Sequence, residues 1–220
     1  WQRRRDYYSE GVMLWLAVDA ELRERSGGHR SIDDFAQRFF GGAAPRAATR
    51  TYTFDDICGA LNAVAPGDWN GFLQSWLDGH DEIDTTIGLT RHGWRLIFTD
   101  LPTEAFRAGE DESGVTDLTY SIGLTARADG TVRSVAWNGP SFRTGMRTGV
   151  RILRVNGAAF GKNTLLAAVR DSVNHSIVLT IEQDGRTSDA RISYAGPLRY
   201  PRLERIPDRT DTLARLLAPR

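Results

Sequence analysis

The sequence predicts an α+β multidomain chain, an α-helical segment followed by a small, partly open β-barrel. Three observations point to it. Apolar residues recur at helical spacing over roughly the first 80 positions. From Leu118 onward they fall in short runs separated by Asp-Gly and Asn-Gly turns. Between these stretches lies an acidic interval with few apolar residues. The 220 residues suffice for one large or two small domains. A composition of 40% apolar and 25% charged residues supplies ordinary cores and argues against a disordered chain.

Gly11 to Glu24 sets Val12, Trp15, Leu16, Asp19 and Leu22 at i, i+3, i+4 spacing, and Ser26-Gly27-Gly28 ends that helix. Ser31-Ile32-Asp33-Asp34 opens a second, with the Ser31 hydroxyl placed to cap a free backbone N–H and a buried face of Ile32, Phe35, Ala36 and Phe39. Residues 41–50 read as a loop. Thr53-Phe54-Asp55-Asp56 starts a third helix in the same way, running through Ile57, Leu61 and Val64 to the break at Pro66-Gly67. Asp68 caps a fourth, whose Trp69, Phe72, Leu73, Trp76 and Leu77 form one stripe, and Gly79 stops it.

Trp94–Thr99 alternates weakly, as a strand does. Residues 102–117 collect Glu104, Glu110, Asp111, Glu112 and Asp117 and read as a solvated linker or long loop. Strands follow at Ser121–Arg127, Thr131–Trp137 and Arg151–Val155, then a short helix at Thr164–Ser172. Ser176–Gln183 and Thr187–Tyr194 make a hairpin around Asp184-Gly185. The tail holds Pro197, Pro201 and Pro207 and a short amphipathic helix with Leu213, Leu216 and Leu217. The domains expected are therefore 1–84 helical, 85–117 strand and acidic linker, 118–194 barrel, and 195–220 Pro-rich tail.

Charge removes one class of partner. The 28 basic residues cancel the 28 acidic ones, and the arginines are spread along the chain, so no nucleic-acid partner is expected. Lys162 is the one lysine. The longest apolar run, Val12–Val18, is far shorter than the ~18 residues a membrane span needs. A single cysteine, Cys58, excludes an internal disulfide and a Cys-based zinc site, and its apolar helical neighbours make it a small buried hydrophobe. The chain starts at Trp1 rather than Met and reads as a fragment or processed piece. A helix-turn-helix reader is disfavoured because Trp69, Phe72 and Trp76 need burial. A serine protease is disfavoured because no serine sits in Gly-x-Ser-x-Gly.

The run Ser141-Phe142-Arg143-Thr144-Gly145-Met146-Arg147-Thr148-Gly149-Val150, continuing through Arg151-Ile152-Leu153-Arg154-Val155-Asn156-Gly157, resembles a PDZ domain of the bacterial protease-associated type. Thr144 stands where that family has Ala, Met146 where it has Leu, and Val150 where it has Asp. The resemblance implies a PDZ-like barrel that takes peptide or protein termini by adding them as a strand to an open sheet edge. Ser121-Ile122-Gly123-Leu124 resembles its carboxylate loop, where backbone N–H groups form a nest for a terminal carboxylate. Ile122 and Leu124, with Leu165 and Val169 of the short helix, would line the side-chain pocket. The other reading is that Leu124 and Val169 are core and the domain is a spacer.

The opening Asp6-Tyr7-Tyr8-Ser9-Glu10-Gly11-Val12 and the stretch Leu16 to Gly28 resemble the C-terminal part of the catalytic domain of glycyl aminopeptidases, zinc metallopeptidases that carry a PDZ domain. Ser31-Ile32-Asp33-Asp34, Tyr52 to Asp56, Trp76-Leu77-Asp78-Gly79 and the tail Tyr200 to Pro207 extend the likeness over essentially the whole chain. It implies hydrolysis of small N-terminal residues such as Gly or Ala from peptides. It also implies a partner, the rest of the catalytic domain.

The family's His-Glu-x-x-His motif is missing: His29, His80, His92 and His175 have no i, i+4 partner. No cofactor is expected in this chain, which alone should be inactive; zinc is expected in the full-length parent. His80-Asp81-Glu82 reads as a solvated charge cluster. Tyr8-x-x-Gly11 resembles a motif whose tyrosine donates a hydrogen bond to the oxyanion of the tetrahedral intermediate, which implies that role for Tyr8. Gly11 would let the helix start approach that site closely. The alternative function is a non-catalytic PDZ-containing peptide-binding module.

Overall fold

The computed structural model describes residues 6–41, 51–79 and 83–219, with positions 6 and 7 as backbone only. The chain divides into two units, Trp1–Leu96 with Leu203–Arg220, and Ile97–Arg202.

The helices of the first unit are α1 (Asp6–Arg25), α2 (Ile32–Phe40), α3 (Phe54–Val64), α4 (Trp69–Asp78) and α5 (Ile87–Arg91). Polar residues placed just ahead of apolar faces start three of them, α2, α3 and α4. Ser31 and Thr53 each form a capping box, with Asp34 and Asp56 as the reciprocal partners. Asp68 accepts from the Gly71 N–H at 2.9 Å to cap α4. Such caps contribute about 1 kcal/mol each. The buried core is Val18, Leu22, Phe35, Leu61, Ala65, Trp69 and Leu73. Trp69 keeps its indole N–H satisfied by donating to the Ala65 carbonyl at 2.8 Å.

Two features of this unit depart from expectation. Helix α1 starts at Asp6 rather than Gly11, so Gly11 lies inside it, and a Cβ built there meets nothing within 4 Å. The close-approach role expected for Gly11 therefore has no neighbour among the described residues. Helix α5 was not expected; it packs on α1 through Gly88, where a Cβ would come within 2.7 Å of the Ala17 backbone nitrogen. Residues 42–50 and the His80-Asp81-Glu82 group lie outside the described residues.

The chain crosses between the units in β1 (Trp94–Thr99) and returns in β9 (Tyr200–Arg205), which pair as a two-stranded sheet. Pro201 is tolerated in β9 because both strands are edges. The tail ends in α8 (Leu213–Leu216), with Leu213 buried.

The second unit opens with a correction. The acidic interval forms a helix, α6 (Glu104–Ser113), rather than an irregular linker. Thr103 caps it by accepting from the Phe106 N–H, and Gly114, left-handed at φ 64, ends it. One apolar anchor holds it down: Phe106 meets Tyr200 edge-on and packs against the core. The strands follow as β2 (Val115–Leu118), β3 (Leu124–Arg127), β4 (Val132–Val135), β5 (Arg151–Val155) and β6 (Ala158–Ala159). Helix α7 (Lys162–Arg170) precedes the hairpin of β7 (Ile177–Gln183) and β8 (Arg186–Ile192). The sheets run β2-β3-β4 and β6-β5-β7-β8, with one bridge between Thr131 and Arg151. Both sheets stay open and no barrel closes, as expected for an α+β chain with a PDZ-like half. Leu118, Ile122, Leu124, Met146, Ile152, Leu165, Val169, Ile177 and Leu179 are among the residues of its core.

Candidate functional site

The six residues expected to take a peptide come together on β3, the turn before it, and α7. Gly123 sits at φ +74, a conformation that costs a side chain strain and glycine none. With it the turn aims two N–H groups at one point: Ser121 and Gly123 both donate to the Leu118 carbonyl, at 3.1 and 3.0 Å. The Ile122 carbonyl accepts from the backbone and hydroxyl of Ser141, at 2.9 and 2.6 Å. The Ser121 hydroxyl accepts from the Arg199 N–H at 3.0 Å. These bonds hold the turn rigid.

Ile122, Leu124, Leu165 and Val169 are fully buried and belong to one cluster with Leu118. Their surface faces that core. The edge of β3 away from β4 is occupied by the chain's own β2, antiparallel, with Val115 opposite Arg127 and Leu118 opposite Leu124.

Two residues beside β2, Glu110 and Lys162, were given no binding or structural role from the sequence. Glu110 of α6 is 6% exposed. Its Oε1 accepts from the Asp117 N–H of β2 at 2.7 Å, and its Oε2 pairs with Lys162 Nζ, at the start of α7, at 2.9 Å. The carboxylate thus caps an amide of β2 and ties α6 to α7. The one signal for the pair was Lys162, the single lysine among arginines.

In the first unit, Tyr8 stands in the first turn of α1 and is 67% exposed. Among the described residues no group of three or more His, Cys, Asp or Glu side chains could hold a metal ion. His29 and His175 are exposed. His92 is fully buried, with Nε2 donating to the Leu16 carbonyl at 3.1 Å and Nδ1 accepting from the Thr212 hydroxyl at 2.6 Å. With both ring nitrogens engaged, it offers no lone pair to a metal. Burial pushes its pKa down, against the opposing pull of Asp19 at 3.5 Å. Asp19 itself is buried and accepts from the Ile32 N–H at 2.7 Å and from Arg23 at 2.6 Å. This cluster ties α1 to α2 and α5. The described residues do not fit a zinc site.

The fold is a helical unit and a unit of two open sheets with a short helix, each with its own core. No family model matches the sequence, and no curated protein matches it. Among solved structures, an aminopeptidase N family protein from Idiomarina loihiensis matches over 97% of this chain, with a TM-score of 0.50 and 11% identity. The likeness is one of fold. This chain spans 36% of that neighbour's length. A PDZ domain of HtrA3, bound to a phage-derived ligand (FGRWV), matches over 52% of this chain and 93% of its own, with 21% identity and a TM-score of 0.24.

Proposed function

We propose that this chain supplies the helical and PDZ-like parts of a zinc-dependent aminopeptidase that releases small N-terminal residues, Gly or Ala, from peptides. The single observation that supports this most is the whole-chain fold likeness to an aminopeptidase N family protein, which spans both units. The motif likeness around Tyr8 is consistent with it. On this reading the zinc ligands come from outside the described residues. Tyr8 contributes from the first turn of α1, its phenol donating a hydrogen bond to the oxyanion of the tetrahedral intermediate. The PDZ-like unit positions or binds the peptide.

In the intact enzyme carrying this chain, Gly- and Ala-terminated chromogenic amides should be hydrolysed. Tyr8→Phe should lower kcat by about 10²- to 10³-fold with KM nearly unchanged, because the donor acts in the transition state. An unchanged kcat removes Tyr8 from the reaction, and absence of hydrolysis by the intact enzyme sinks the peptidase reading. The second reading, a non-catalytic peptide-binding module, is supported by one feature: the paired N–H groups of Ser121 and Gly123, both aimed at the Leu118 carbonyl beside the core of the second unit.

A further inference from the structure

We propose that β2 is a built-in ligand: residues Val115–Leu118 fill, in cis, the groove that takes an extended C-terminal peptide, and a peptide enters only when this strand is released. The inference rests on reading the second unit as a PDZ-like peptide module. Strand addition places an incoming peptide along an open sheet edge, with alternate side chains entering pockets and a terminal carboxylate held by backbone N–H groups. β2 meets each of these conditions. It lies antiparallel on the outer edge of β3. Its last residue, Leu118, is fully buried with the pocket residues Leu165 and Val169 in one core. The Leu118 carbonyl receives the Ser121 and Gly123 N–H groups, which are the donors a terminal carboxylate would take.

The strand also specifies what would replace it. Thr116 and Leu118 are buried while Val115 and Asp117 are half-buried. The groove therefore suits a leucine-like last residue with a small, β-branched polar residue two positions earlier. A free peptide has one advantage over β2. It brings an ionised carboxylate to the nest, where charge-assisted hydrogen bonds are roughly twice as strong as those to a neutral carbonyl. β2 has the advantage of being tethered, and of the clamp that Glu110 places on Asp117 and Lys162. Glu110 also caps an N–H that an edge strand would otherwise offer to another chain. Weakening that clamp should open the groove without dismantling β5 and β7.

The test uses the full 220-residue chain, as wild type and as Glu110→Gln, with the peptide Gly-Val-Thr-Asp-Leu carrying either a free carboxylate or a C-terminal amide. Amide hydrogen exchange reads the groove and fluorescence anisotropy reads binding. In Glu110→Gln the amides of 115–118, Ser121 and Gly123 should exchange about tenfold faster or more, with β5 and β7 unchanged. The free-carboxylate peptide should bind the variant about tenfold tighter than wild type, because the competent fraction rises, and amidation should abolish the gain. Should Glu110→Gln lose protection throughout, Lys162→Met, which leaves the carboxylate on Asp117, is read by the same criteria.

Three outcomes overturn the proposal. If 115–118 exchange only with global unfolding in every variant, β2 is an integral strand. If the peptide binds while β2 stays protected, the binding site is elsewhere and the peptide-module reading survives. If β2 opens yet no peptide enters, that reading fails as well.

Discussion

At the scale of single residues, Gly123 and His92 yield direct measurements. Gly123 holds a left-handed φ of +74, and a Cβ there would lie 3.4 Å from both Gly139 and Pro140. Gly123→Val should destabilise the second unit by about 1–3 kcal/mol, since a β-branched residue is strained at that φ. On the proposed reading it should also weaken extended-peptide binding, because relieving the strain at that φ re-aims the Gly123 N–H. Urea unfolding checks the first expectation, and a change below about 0.5 kcal/mol would show that the turn relaxes freely.

His92 is the second such residue. It is buried neutral between Leu16 and Thr212, with Asp19, Arg23 and Asp211 as the charged groups acting on it. Burial lowers its pKa in the folded state below the ordinary value of about 6.5. The unfolded chain therefore binds the extra proton first. The stability contributed by the neutral ring is present above about pH 6.5 and is lost as the pH falls from there toward the depressed folded value. Chemical denaturation of the wild type should show stability falling between pH 7 and 5, with a shallower slope in His92→Gln. Parallel slopes would show that other groups set the acid response.

At the scale of elements, α2, α3 and α4 formed where polar caps precede apolar faces. The Ser31, Thr53 and Asp68 caps stand at the expected residues. The interval 102–117 shows why such reading has a limit. α6 has a charged surface and one large apolar anchor, so its periodicity is faint. Its stability comes from Phe106 on the core and Glu110 in the groove, neither visible before the chain folds. Helix α5 is too short for periodicity to show at all, and its seat on α1 depends on a missing side chain. Gly88→Ala puts a Cβ within 2.7 Å of the Ala17 nitrogen. It should cost about 1–3 kcal/mol through forced separation of the two helices, readable as a drop in thermal midpoint. A neutral result would mean that the α1–α5 contact is not tightly packed.

At the scale of the whole chain, two units have separate cores, and the fold likeness to an aminopeptidase N family protein covers both. A metal centre is not assembled among the described residues. The groove adds a condition. On the proposed reading, a module whose own strand sits where ligand belongs is not an open receptor, and its affinity depends on how often that strand leaves.

The sequence by itself determined the α+β class, three helix caps and the Asn-Gly and Asp-Gly turns. Those properties are local: a cap, a period or a glycine acts on its immediate neighbours. Only the tertiary structure decided that the pocket side chains are buried and that β2 covers the edge of β3. It also decided that Glu110 and Lys162 meet although 52 positions separate them. Such pairings depend on which surfaces the folded chain brings together, and no spacing along the sequence encodes that.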